Sequence, residues 1–245
     1  GPAQLEINFN HGDPLDLADQ VFLFKRIVRQ AALKHDVYAT FMAKPHQDEP
    51  GSAMHLHQSL LDAKSGRNLF RGRGNKQSRL FMSHVGGLQR YMNPAMLFFA
   101  PNVNSYRRLV PGADAPTNTH WSIDNRTAPL RVPKSDPDNT RIENRVPGAD
   151  ANPYLCIAAS LACGYLGMME KLKPSAQIEG SAYRYAHSLP INLDDAMNKL
   201  NYSRPLKQVM GQRFVEAFMA VKEEEQVQYR KVISSWEREF LLLNV

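Results

Sequence analysis

Met54-His-Leu-His-Gln-Ser-Leu60 and Arg141-Ile-Glu-Asn-Arg145 decide how this chain is read. Successive side chains on a strand point to opposite faces. The first stretch therefore puts His55, His57 and Ser59 on one face, with Leu56 and Leu60 behind. The second puts Arg141, Glu143 and Arg145 on one face, with Ile142 behind. A third stretch, Ala3 to Asn10, alternates likewise: Leu5, Ile7 and Phe9 oppose Gln4, Glu6 and Asn8. Solvent-facing sheets also carry polar residues, but histidine pairs are uncommon there. Three strands of this kind in one chain point to a working surface.

The residue types define the chemistry. Carboxylates with a minority of imidazole favour Mg²⁺ or Mn²⁺ over a softer metal. Guanidinium groups give bidentate bonds to carboxylates and phosphates. Acids alternating with arginines on one strand suit a metal–phosphate site. The His-x-His element alone is weak, since cupin-type and hydrolytic metal sites use it too. A single-metal hydrolase or oxygenase built on His55, His57 and a carboxylate is thus a second reading, but it leaves the arginines unexplained.

Outward from these strands, the pattern predicts a helix over 16–35, strands over 38–43 and 54–61, and a helix over 78–92 weakened by Gly86 and Gly87. A loop-rich middle over 93–150 holds short strands near 120–132 and 141–146. Helices follow over 152–173, 193–201 and 212–243, the last two separated by a turn at Ser203-Arg204-Pro205. Strands mixed irregularly with helices give an α+β fold. The 245 residues, 43% hydrophobic and 22% charged, suffice for one large domain. No apolar run is long enough to span a bilayer. The net charge of +6 comes without a nucleic-acid-binding module, so no nucleic-acid partner is expected. Cys156 and Cys163 lie two helical turns apart, too far for a disulfide. A reducing, cytoplasmic setting fits them.

The ordered motifs resemble the glutamine synthetase family of the bacterial type. They are Gly1-Pro-Ala-Gln-Leu-Glu-Ile-Asn-Phe9, Gly51-Ser-Ala-Met-His-Leu-His-Gln-Ser-Leu60, Asn104-Ser-Tyr-Arg-Arg-Leu-Val-Pro-Gly112, Asn125-Arg-Thr-Ala-Pro-Leu-Arg131, Arg141-Ile-Glu-Asn-Arg145 and Ala151-Asn-Pro-Tyr154. The resemblance implies a mainly antiparallel, curved sheet flanked by helices. It implies that Glu6 binds the metal that organises glutamate and amine, and that His55 and Glu143 bind a second metal on the phosphates of ATP. His57 and Ser59 would contact the nucleotide, and Arg131 and Arg141 its phosphates. Arg108 and Arg145 would grip glutamate, with the Gly51 backbone near its amino group. Arg126 would meet the phosphoryl group, and Asp114 would take the proton of the amine.

The implied partners are glutamate, ATP, an amine and other copies of the chain, in a ring assembled as a dodecamer of two hexamers. The family's small N-terminal domain and first catalytic strands do not occur in this sequence. Residues 1–245 are accordingly expected to be a truncated catalytic domain, with Gly1-Pro2 a possible cleavage scar, weak metal binding and little turnover alone. Asp114 stands where ammonia-using members carry glutamate, and Pro50 where they carry asparagine. Thr119-His-Trp-Ser-Ile-Asp-Asn-Arg126 looks like the γ-glutamylpolyamine synthetase branch, which uses putrescine or similar amines. Plain glutamine synthetase is the near alternative, and a non-catalytic homologue a further one. Arg107 is read as a structural or surface residue, Trp121 and Trp236 as core or interface residues, the Glu223–Glu225 run as a solvated helix face and the Met168–Met169 pair as core filling.

Overall fold

The computed structural model describes residues 1–74, 76–112 and 115–245. Its centre is a four-stranded sheet of short strands in the order β1-β4-β3-β2. These are β1 (Leu56–Gln58), β2 (Trp121–Ile123), β3 (Leu130–Val132) and β4 (Ile142–Asn144). β1–β4 and β3–β4 are antiparallel, and β2–β3 is parallel. The α+β expectation, with a mainly antiparallel sheet between helices, holds.

The register sorts side chains as the alternation requires. One cross-strand row runs His57, Glu143, Arg131, Ser122. The adjacent row, Leu56, Asn144, Leu130, Trp121, turns the other way. That inner face is core: Leu130, Ile142 and Asn144 are fully buried and Trp121 nearly so. Asn144 is satisfied there by Ser160 Oγ at 3.0 Å, which in turn donates to Gln58 Oε1 at 2.9 Å. These bonds tie β1 and β4 to the helix carrying Ser160.

That helix is α4 (Pro153–Met169), capped by Asn152, whose side chain accepts from the N–H groups of Tyr154 and Leu155. It crosses α2 (Arg79–Phe99) at very short range. A Cβ on Gly87 would lie 2.2 Å from Cys163 O, and one on Gly167 would lie 2.3 Å from Ser83 O. Gly86 and Gly87 therefore serve close packing rather than merely weakening a helix. α2 also continues to Phe99, past the expected end at Met92 and through Pro94. Ala95 to Phe99 are at most 1% exposed, and their burial outweighs the hydrogen bond that proline removes.

Other expectations need correction. Residues 3–10 form no strand: among the described residues no ladder partner lies beside them, and Leu5 and Ile7 are 87% and 54% exposed. A strand has no hydrogen-bonding reward without a neighbour. Residues 38–43 are irregular for the same reason. The turn at Ser203 instead begins α6 (Arg204–Met210), where Pro205 occupies a first-turn position. The helix expected over 212–243 divides into α7 (Gln212–Tyr229) and α8 (Ser235–Leu241). Ser234 and Glu237 form a capping box that starts a new helix there. Of the two tryptophans read as core or interface, Trp121 is core and Trp236 is 58% exposed and stacked on Phe240, while Met169, read as core filling, is 64% exposed.

α1 (Pro14–Leu33) and α5 (Leu193–Asn201) match their predicted spans closely. α3 (Val103–Tyr106) is a single turn that leads into Arg107 and Arg108. Cys156 and Cys163 are buried free thiols, raised in pKa by burial. Among the described residues no helix is long and apolar enough to cross a membrane.

Candidate active site

The cross-strand row concentrates charge around Glu143. Its side chain is 3% exposed, and each oxygen accepts from a different arginine. Oε1 takes Arg145 at 2.8 Å and Oε2 takes Arg131 at 2.8 Å. His55 Nδ1 lies 3.3 Å from Oε1. Burial pushes the Glu143 carboxyl up, but the Arg131 hydrogen bond and the Arg145 charge outweigh it, and its pKa is lowered overall. Glu143 is thus an ionised carboxylate in the wall of the sheet.

His55 is held neutral. Burial and then the Arg145 charge push its pKa down to about 4, against the pull of Glu143. His57 is lowered too, by burial first, with Glu143 opposing. Its Nδ1 accepts from Arg141 Nε at 3.3 Å, and Arg141 also donates to the carbonyl of Asn139 at 3.2 Å. The strand face expected for His55, His57, Arg141, Glu143 and Arg145 is therefore assembled in space.

Arg108 reaches the same region from the chain after α3. It is 3% exposed, burial lowers its pKa to about 10, and a terminal nitrogen donates to Val146 O. Gly51 lies against its stem: a Cβ there would sit 2.5 Å from Arg108 Cγ and 2.6 Å from Ala43 O. Only glycine fits this contact without displacement. The Nε groups of Arg108, Arg131 and Arg145 are buried and have no hydrogen-bond partner. Buried donors left unpaired are costly, and the cationic groups gathered here, Arg108, Arg131 and Arg145, suit anionic ligands.

The remaining candidates lie apart from this cluster. Ser59 is exposed just beyond β1. Glu6 is exposed in the unpaired stretch 3–10 and makes no metal cluster with His55 and Glu143. Among the described residues no group of three or more ligating side chains is arranged for a metal. Arg126 is exposed in the β2–β3 connection, on an open cavity of about 630 Å³ lined also by Asp124, Asn125 and Glu179. Asp114 lies outside the described residues.

One residue of the site was not singled out in the sequence. Asp124 accepts from Arg131 at 2.7 Å, on the side of that guanidinium away from Glu143. Its only sequence signal is its place two residues before Arg126.

A divalent cation has two suitable donors here: a neutral imidazole at His55 and an ionised carboxylate at Glu143. A carboxylate has about four lone-pair positions, so the two arginines leave Glu143 room for a further contact. Two protein donors completed by phosphate oxygens and water is a common arrangement for Mg²⁺. The pair fits such a cation.

The pattern of the family described as "Glutamine synthetase, catalytic domain" matches residues 1–241. Among characterised relatives, gamma-glutamylputrescine synthetase PuuA of Escherichia coli (strain K12) is 38% identical over 245 residues, covering 99% of this chain and 52% of that protein. The glutamine synthetase of Pyrococcus horikoshii is 38% identical, over 94% of this chain and 53% of its own. A glutamate–isopropylamine ligase of a Pseudomonas species is 37% identical, over 97% and 53%. The chain thus spans about half the length of the curated relatives it matches. A solved GmaS/ADP complex superposes with a TM-score of 0.87 at 34% identity, covering 96% of this chain and 56% of that one.

Proposed function

Because the chain belongs to the glutamine synthetase family, we propose that it joins the γ-carboxylate of glutamate to an amine at the expense of ATP. The observation that carries this reading is the gathering of buried cationic side chains, with Arg131 and Arg145 bonded to ionised Glu143 and Arg108 close by. That set suits polyanions, whereas a hydrolase working through one metal and two histidines has no use for it.

Arg131 and Arg141 hold the nucleotide phosphates, with His57 and Ser59 beside them. Arg108 and Arg145 hold the carboxylates of glutamate, and the Gly51 backbone approaches its amino group. Glu6 serves the metal that organises glutamate and amine, while His55 and Glu143 hold the cation on the phosphates. Bound there, Mg²⁺ or Mn²⁺ supplies charge neutralisation on the phosphate oxygens.

In the first step a glutamate oxygen forms a bond to the γ-phosphorus, the bond to the β-phosphate oxygen breaks, and ADP leaves. Such transfer rests on positioning and charge neutralisation. Arg126, exposed and unencumbered by its own sheet, supplies mobile positive charge to the phosphoryl group. In the second step the amine nitrogen bonds to the acyl carbon and phosphate departs. The amine must first lose a proton, and Asp114 accepts it.

The amine is a larger one than ammonia, such as putrescine. The shorter aspartate at 114 leaves room at the amine position, and relatives named for putrescine and isopropylamine ligation support this choice. Glutamine synthetases of equal identity favour ammonia as the second reading. The exposed apolar residues of α1, among them Phe22, Leu23 and Ile27, support contact with further copies in a ring.

The test is phosphate release with Mg²⁺, ATP and glutamate across ammonium, putrescine, a longer polyamine and ethanolamine. It is run on this chain and, where the gene encodes more, on the longer product. Release driven by diamines supports the polyamine branch. Preference for ammonium selects the second reading, and no release with any amine removes both.

A further inference from the structure

Asp124 closes β2 in an unusual conformation. Its φ of 49° lies in the left-handed region, which aspartate and asparagine enter more readily than other L-residues. Its N–H donates to Val132 O at 2.9 Å, which extends the parallel pairing of β2 with β3 by one residue. Its carboxylate reaches Arg131 on the neighbouring strand, one of whose terminal nitrogens donates to Oδ1 at 2.7 Å while the other donates to Glu143 at 2.8 Å. The Arg131 side chain is 18% exposed, and its Nε is buried without a partner. The hydrogen bond from Arg131 lowers the Asp124 pKa, so the carboxylate is ionised.

An arginine anchored at one end only can swing among rotamers. Held at both terminal nitrogens, its plane is fixed. Resting on the nucleotide-binding reading of Arg131, we propose that Asp124 is a positioning residue: it fixes the outer arm of Arg131 so that the guanidinium stands oriented toward the nucleotide phosphates. The opposite arrangement, in which Asp124 competes with phosphate for Arg131, makes the contrary prediction that removing it tightens binding.

The experiment is a double-mutant cycle on binding of ATP with Mg²⁺, without glutamate, followed by calorimetry or protein-observed NMR. The variants are D124A, D124N, R131A and D124A/R131A. Asparagine keeps the left-handed conformation and an acceptor, so D124N isolates the charge. D124A is expected to weaken binding about tenfold and D124N about threefold, as for a charge-assisted hydrogen bond. In the R131A background D124A adds nothing, because Asp124 acts only through Arg131. Unchanged or tighter binding by D124A overturns the proposal, as do losses that add in the double variant. If the parent chain binds no nucleotide, the nucleotide-site reading itself falls and takes the proposal with it. Urea midpoints measured alongside separate loss of binding from loss of fold.

Discussion

Replacing Gly87 by alanine tests whether the α2–α4 crossing is as tight as it looks. The added Cβ would meet Cys163 O at 2.2 Å, Gly167 Cα at 2.6 Å and Gly167 N at 2.7 Å. Carbon atoms are at rest near 3.5–4.0 Å, so the two helix backbones would have to part by about 1 Å. All three atoms are backbone, and no rotamer change relieves them. Overpacking of this kind costs about 1–3 kcal/mol, and more where nothing can yield. Alanine returns about 1 kcal/mol through helix propensity. Because all three contacts are backbone, the clash falls at about 3–4 kcal/mol, and the net expectation is a loss of about 2–3 kcal/mol, or roughly a 1 M fall in the urea midpoint at an unchanged slope. Gly12→Ala is the control: nothing lies within 4 Å of its Cβ. A Gly87→Ala protein as stable as its parent would refute the close-packing argument, because the propensity gain can hide only a small clash.

Three further outcomes are expected. His84 is buried with both ring nitrogens unpaired, and burial lowers its pKa to about 4. The unfolded chain binds the proton near the ordinary value of 6.5, so stability is full above that pH and falls as the pH drops from 6.5 to 4. The loss amounts to about 3 kcal/mol, and His84→Leu should flatten that part of the pH–stability curve; an unchanged curve rejects the role of His84. Glu143→Gln should leave two guanidiniums short of their counter-charge, costing about 3 kcal/mol in urea denaturation and reducing binding of Mn²⁺, and retention of both would count against the site. Arg126→Ala should lower the ligase rate by about 10²-fold or more with the thermal midpoint unmoved, since the side chain is exposed and its proposed role is at the transferring phosphoryl group; a loss in nucleotide affinity alone would assign it elsewhere.

The working face was legible because alternation survives tertiary packing: His57, Glu143 and Arg131 share a row as the period-two pattern demands. α5 was legible to its ends because its Asn192 cap and apolar spacing agree. What failed failed for lack of a partner. Residues 3–10 alternate as well as β1 does, yet alternation states only which side faces a core, not whether a neighbour exists to complete the ladder. The end of α2 was hidden because Pro94 is a local signal and the burial of Ala95 to Phe99 is not. Asp124 was invisible because its role depends on the parallel pairing of β2 with β3, which sets it beside Arg131, seven residues on.

The electrostatics of the site explain how so much charge is carried on strands of three residues. Arg145, Arg131 and His55 all face Glu143, and Asp124 completes the outer end, so Arg131, Arg145 and Glu143 each have an opposite charge within hydrogen-bonding distance, while buried Arg108 donates to the carbonyl of Val146. Burial alone would drive Glu143 toward its neutral form and weaken Arg108 as a cation. The arginines reverse the first tendency, and Glu143 keeps its charge. In the proposed reading, phosphate and a divalent cation add to this network: the phosphate at N–H positions of Arg131 still open beside Asp124 and Glu143, the cation at the lone pairs Glu143 has left. An anion and a cation arriving together compensate each other, which an isolated arginine cluster or an isolated carboxylate would not allow. The same logic accounts for the inner face, where Asn144, Ser160 and Gln58 satisfy one another and hold β4 and β1 in the register that the charged row requires.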